Sequence, residues 1–421
     1  METQSVIKGH RAMSSIICPD TLFDLHPPAS ALGELCAKYR TEKSFHGYDP
    51  SVLKSGIQKY GRRADVDKGL WCLVELDLFS LVECDGDVLD EYLKMHPGES
   101  RTKVQRSAQG IRSNMINRLV VMMSEEVNIS AWWMPMIMKG LYQKWVANRG
   151  NANSSKYLVD IYRYLVSQRM IRLISDLKSV YVLPPYYVKS EQMNDLMKIH
   201  RGIRALHPSV YSNQTFVGDV DWDLTDYPVN VRPCINGIVY NIENGHDHAF
   251  HWVSRLCDLE RADGVSKYRY TKLVWSVLYR FIDRHHEFKF VKDIISALEF
   301  FFNTMGHQEK PIYLYHALLL LIRRNEIDWN LKDPKIDTPV ADVAKLYDDH
   351  LAGGKMPMDD YILDLHTHGG KREDDCLENF ALEGAYIKNE NADFLRQDYR
   401  EIYIKLKQEL DRYRCNGGRL L

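Results

Sequence analysis

From Pro50 to about Tyr181 apolar residues recur every three or four positions, as in GLWCLVELDLFSLV and SNMINRLVVMMSEEV. That is the period of helices that bury one face in a bundle. Gly86, Gly98, Gly110 and Gly150 divide the stretch into helices of ordinary length, and Ser154 and Ser155 supply a start signal for KYLVDIYRYLVSQRMIRLISDLKSVY. Short connections between such helices predict antiparallel neighbours. Pro184 and Pro185 end the array, because proline lacks the amide donor and restrains the residue before it. His207 to Asn244, rich in Pro, Gly, Asp and Asn, predicts loops with a small hairpin. Helical period then returns in AFHWVSRLCDLE, YTKLVWSVLYRFIDRHH and YLYHALLLLIRR, a second helical layer. KDPKIDTPV reads as a polar link, DVAKLYDDHL as a short helix, and Asp393 to Arg414 as a charged amphipathic helix.

The expected fold is therefore mainly α, a helical bundle with a loop-rich middle segment and a small C-terminal helical region. Its expected organisation is an N-terminal extension (1–49), a helical domain (50–185), a loop-rich segment with the second helical layer (186–340) and a C-terminal segment (341–421).

A chain of 421 residues is long enough for two or three domains. Hydrophobic residues at 45% and charged residues at 27% exclude a chain disordered throughout. Lysine and arginine total 55 against 57 acidic residues, so no global field draws the protein to nucleic acid or to an anionic membrane, and any such contact has to be local. The eight cysteines lie far apart with no C-x-x-C pair and read as reduced thiols. The N-terminal stretch has no apolar core of signal-peptide length, and Tyr313 to Ile322 is too short to cross a bilayer. The expectation is a soluble protein of the cytoplasm or nucleus with no membrane partner.

The pattern G-x-x-x-x-G-K-[ST] does not occur, and HTHGGK and LAGGK lack the hydroxyl that would hold magnesium, so ATP hydrolysis is not expected. No G-x-S-x-G elbow appears, no cysteine sits in a catalytic signature, and no cofactor is expected. DLHTHGG offers Asp364, His366 and His368 as metal ligands of a metal-dependent hydrolase. In such barrels the remaining ligands follow over a long stretch of chain, and too little follows His368 for that layout. In NGHDHAFHW only two donors at a time share a helix face, which favours a helix N-terminus with Asp247 near its positive end over a metal site. His285 and His286 face two directions and read as surface. Glu125 and Glu126 point about 100° apart on a helix, so they cannot share a substrate atom, and one of them is expected to pair with a buried arginine.

The basic segments carry more information. In KSGIQKYGRR, Lys54, Gln58 and Arg62 fall at i, i+4 and i+8 on one helix face, with Lys59 and Arg63 beside them and Tyr60 able to stack. Such a stripe suits phosphate contacts, against the plainer alternative of a solvated face. RTKVQRSAQGIRSNMINR adds Arg101, Lys103, Arg106, Arg112 and Arg118, the last expected to lie buried against Glu125 or Glu126.

KSGIQKYGRR with GLWCLVELDLF after it, then IRSNMINRLVVMMSEEV, and finally DLHTHGGK followed by FALEGAYIKNE, resemble the region beyond the ATPase module in the Werner helicase-interacting protein, MgsA and RarA family. Stand-alone relatives of that region are familiar from large DNA viruses. The match covers about Pro50 to Tyr181 and Tyr361 to Asn391. Where the family has paired basic residues, a leucine and then Ser-Glu-Asp, this chain has Asn117, Arg118, Leu119 and then Ser124, Glu125, Glu126, with glutamate in place of the aspartate. The resemblance implies a clamp-loader-collar-like helical bundle that self-associates, as a tetramer in the bacterial relatives, and binds partners without an ATP site of its own. It also implies that His366, Thr367, Gly370 and Lys371, with Glu383 and Gly384 downstream, form an architectural turn in which Thr367 caps and Gly370 allows a positive φ. The expected function is a non-catalytic DNA replication or repair accessory. Its expected partners are DNA, replication or repair proteins and further copies of itself, with Lys54, Gln58, Lys59, Arg62, Arg63 and Arg112 as candidate nucleic-acid contacts. A structural interaction scaffold is the remaining alternative beside the hydrolase.

Overall fold

The computed structural model describes residues 30, 43–78, 80–83, 86–151, 154–171, 174, 218, 220–306, 310–331, 343–363 and 367. The described residues form a mainly helical bundle of twelve α-helices with no strand. One isolated antiparallel bridge joins Val127 to Met170.

The first six helices follow the expected apolar period. They are α1 (Pro50–Arg62), α2 (Val66–Leu78), α3 (Gly86–Met95), α4 (Arg101–Glu126), α5 (Met134–Ala147) and α6 (Ser154–Ser167). Pro50 opens α1 in the position where a missing N–H costs nothing. The turn into α2 places Ala64 in the left-handed region at φ 54°. α2 in turn packs so closely on α6 that Gly69 lies directly beneath the Tyr162 hydroxyl. The 26 residues of α4 make it about 39 Å long at 1.5 Å per residue. Its first half is largely exposed, and Leu119 to Ser124 in its second half are buried. Gly110 does not separate two helices. It sits inside α4 on an open face where an added Cβ would meet nothing, one exposed glycine costs about 1 kcal/mol, and the packed flanks carry the helix through.

The second layer consists of α7 (Arg232–Glu243), α8 (Ala249–Ala262), α9 (Leu273–Arg284), α10 (Val291–Thr304) and α11 (Lys310–Ile322). The expected loops and hairpin over His207 to Asn244 give way, at their C-terminal end, to α7. Pro233 stands in its first turn, where proline is tolerated, and Ile235, Ile238, Val239 and Ile242 recur at helical spacing on its buried face. Gly237 of α7 lets the Trp252 indole of α8 pack against the backbone, since a Cβ there would meet the ring at 2.3 Å. Nearly every residue of α11 is buried, as befits a helix apolar all round its circumference. It packs on α7, α8, α9 and α10 of its own layer and also on α4 of the first, where the His316 ring meets Ser124 Oγ at 3.2 Å. With α5 packed on α10, the two layers share one continuous core.

The last described helix, α12 (Val343–Ala352), packs on α2. Residues 353–363 run back along α1 and end in a single 3-10 turn, Asp360–Ile362. Residues 43–49, from the segment expected to be an N-terminal extension, lie against the same helices. The described end of the chain is thus stitched to its beginning.

Candidate functional site

The charged residues of α1 and α4 are committed inside the protein. Lys59 and Arg62, central to the expected phosphate-contacting stripe, are 3% and 4% exposed. Arg62 donates from Nε to Glu126 Oε1 at 3.0 Å and from a terminal nitrogen at 2.5 Å, and the Gln58 amide donates to the same oxygen. Lys59 Nζ donates to the backbone carbonyls of Tyr361, at 2.6 Å, and Ile362, at 3.0 Å. Arg63 stacks its guanidinium on the Tyr361 ring, 3.7 Å from the centroid. Lys54 is half-buried, and burial together with the nearby Arg118 guanidinium lowers its ammonium to about 8. The stripe therefore faces the protein's own interior and the strap formed by residues 358–363. A buried guanidinium already paired with a carboxylate cannot also serve a phosphate.

Arg112 is fully buried as well, which removes it from the candidate nucleic-acid contacts. Its Nε lies 3.7 Å from Asp77 Oδ1, and its terminal nitrogens donate to Arg149 O at 3.1 Å and to Ser154 Oγ. Asp77 also accepts from Tyr347 of α12 at 2.6 Å, from Ser155 and from Ser80 at 3.2 Å. Ser154 and Ser155 do begin α6, as expected, and their hydroxyls serve this interior network. One of the Glu125–Glu126 pair does meet a buried arginine. It is Glu126, and the arginine is Arg62 rather than Arg118, which is half-buried on α4 with Asn117 and Glu125. Asp247 lies just ahead of α8, as expected, and pairs with Arg323 at 2.7 Å. Of the DLHTHGGK segment only Thr367 is described, and it is fully buried. Asp364, His366, His368, Gly370, Lys371, Glu383 and Gly384 lie outside the described residues.

A second cluster was not expected. His46, from the segment before α1, Glu75 of α2 and His350 of α12 bring their side chains together, with candidate ligand atoms within 4.8 Å of one another. Glu75 Oε2 meets His46 Nδ1 at 2.8 Å and His350 Nε2 at 2.7 Å, while Oε1 accepts from the His46 backbone N–H at 2.7 Å. Burial on its own would raise the Glu75 carboxyl, but the hydrogen bonds from His350, Ser44 and His46 outweigh it and hold the group at about 2. The Trp71 ring packs beside both imidazoles, with centroids 5.3 Å from His46 and 4.7 Å from His350. No local motif announces these residues, because they are separated by 29 and 275 positions from the shared carboxylate. The one trace in the sequence is that Glu75, like Asp77, interrupts the apolar run GLWCLVELDL.

Comparison of the chain with protein-family models, curated proteins and solved structures finds no match.

Proposed function

We propose that the chain is a non-catalytic replication or repair accessory that acts by associating with other proteins and with copies of itself, as the resemblance to the region beyond the ATPase module implies. The observation that carries this reading is the Gln58–Arg62–Glu126 contact. Residues from two of the three segments on which the resemblance rests, 64 positions apart from Arg62 to Glu126, meet in one buried frame. The family-like residues of this chain thus hold helices in place and leave the outer helix faces for partners. The reading assigns any direct DNA contact to the exposed first half of α4, where Lys103 and Arg106 stand at the surface, and not to the stripe on α1.

Analytical ultracentrifugation over a concentration series, paired with fluorescence anisotropy on forked, duplex and single-stranded DNA at two salt concentrations, tests the proposal. Expected are dimers or larger assemblies at micromolar concentration, and fork binding that weakens steeply with salt as counterions are released. A strict monomer with no affinity for any of the three DNAs at low salt overturns it.

A further inference from the structure

We propose that His46, Glu75 and His350 form a binding site for a zinc-class divalent ion that clamps the segment before α1 and helix α12 onto α2. Two imidazoles and one carboxylate are the donor set that suits zinc and its neighbours among the transition metals, whereas magnesium and calcium prefer oxygen alone. The three side chains come from three distant parts of the chain, and each is aimed inward. Glu75 is fully buried and His350 nearly so, while the His46 side chain is 10% exposed. The His46 side is thus the one from which a water molecule completes a four-coordinate shell.

The geometry around His46 suits a ligating ring. Its Nδ1 faces Glu75 Oε2 at 2.8 Å, and its Nε2 faces the Gly353 carbonyl oxygen at 3.4 Å. A neutral imidazole has one N–H. If that proton sits on Nδ1 to meet Glu75, the Nε2 lone pair is turned toward a carbonyl oxygen, and without an ion only a charged ring donates to both acceptors. With a metal on Nδ1 the proton moves to Nε2 and is donated to Gly353, the usual way in which a ligating histidine is oriented by a backbone carbonyl. Glu75 is oriented in the same manner, since the His46 backbone N–H holds Oε1 and leaves Oε2 to the ion. Bonds of about 2.0–2.1 Å in a tetrahedral shell require donor atoms about 3.3 Å apart. The two separations from Glu75 Oε2, 2.7 and 2.8 Å, therefore open by about half an ångström, and the two imidazole nitrogens, with all three donor atoms within 4.8 Å of one another, settle to the same spacing. Rings that are neutral beforehand only move a proton to the far nitrogen, whereas a charged ring releases one on binding.

The test uses the full chain freed of any histidine tag and stripped with a chelator. Cobalt(II) is titrated in while its visible absorption is followed, and zinc is titrated by calorimetry. The expected result is one ion per chain, with the absorption of four-coordinate cobalt and no thiolate charge-transfer band, and a loss of affinity of at least ~10- to 100-fold in His46→Gln and in Glu75→Gln. His248→Ala, remote from the cluster, should bind as the unaltered chain does. Failure of the folded, unaltered chain to bind cobalt or zinc stoichiometrically overturns the proposal and leaves a carboxylate bonded to two imidazoles. So does stoichiometric binding that His46→Gln leaves undiminished. Neither outcome bears on self-association or DNA affinity, so the two proposals fail separately.

Discussion

Arg62→Ala separates an interior role for the α1 stripe from a phosphate-binding one. In the folded chain Glu126 is 1% exposed, and its Oε1 takes two hydrogen bonds from Arg62 and one from Gln58. Its other oxygen is buried with no hydrogen-bond partner among the described residues. Truncating the arginine leaves a carboxylate out of water with a single neutral amide beside it. Removing one partner of a buried ion pair costs about 3–5 kcal/mol, a large part of the roughly 5–15 kcal/mol that holds an ordinary domain together. Urea unfolding followed by far-ultraviolet circular dichroism should therefore show the midpoint falling by about 1 M or more, for an m-value of about 3 kcal/mol/M. Arg62→Met combined with Glu126→Leu should recover most of the loss, because an apolar pair of similar volume has no charge to desolvate. If Arg62→Ala keeps its midpoint and instead loses salt-sensitive affinity for DNA, the guanidinium faces solvent and the interior account of the stripe is wrong.

Three further outcomes follow from the same geometry. Burial raises the Asp160 carboxyl to about 6 against the pull of Lys156, Arg163 and Lys144, so the fold favours its protonated form. That contribution is complete below about pH 4 and is lost as pH rises through 6. Asp160→Asn should then stabilise the protein by about 2–3 kcal/mol at pH 8 and leave it unchanged at pH 4, as read from paired thermal melts. Tyr347→Phe removes the hydroxyl that α12 donates to Asp77 at 2.6 Å, and should cost about 1.5–3 kcal/mol and speed proteolytic release of the segment beyond residue 343; unchanged cleavage would sink this. Gly69→Ala would set a Cβ 1.6 Å from the Tyr162 hydroxyl and should lower stability by about 1–3 kcal/mol. Adding Tyr162→Phe should relieve only part of this, because the ring carbon Cζ would still lie at 2.5 Å. Full recovery would contradict the close packing of α2 on α6.

The helices were legible wherever an apolar stripe recurred at helical spacing, and that is why α1, α2, α8, α9, α11 and α12 stand where the pattern put them, while α6 starts at the expected serines but ends at Ser167, short of the run that continued to Tyr181. α7 was missed because Pro233 and Gly237 read as breakers, yet one stands in the first turn and the other beneath Trp252. Gly110 was misread for the opposite reason, being a glycine that a long, packed helix simply absorbs. The side chains at Lys59, Arg62 and Arg112 show the limit more sharply. Spacing establishes that Lys54, Gln58 and Arg62 share a face, but not whether that face meets water, a carboxylate on α4 or a strap from residues 358–363.

Read by itself, the sequence determined the helical class, the approximate position of most helices and the absence of a phosphate-cradling motif, because those properties depend on residues a few positions apart. Only the tertiary structure decided which charges lie inside. It also decided that α12 and the residues after it return to α1 and α2, and that His46, Glu75 and His350 meet. A helix's period shows which side chains lie together on it. What those side chains touch is set by packing against chain hundreds of residues away, where the desolvation of a charge has to be offset by a partner that no local pattern names.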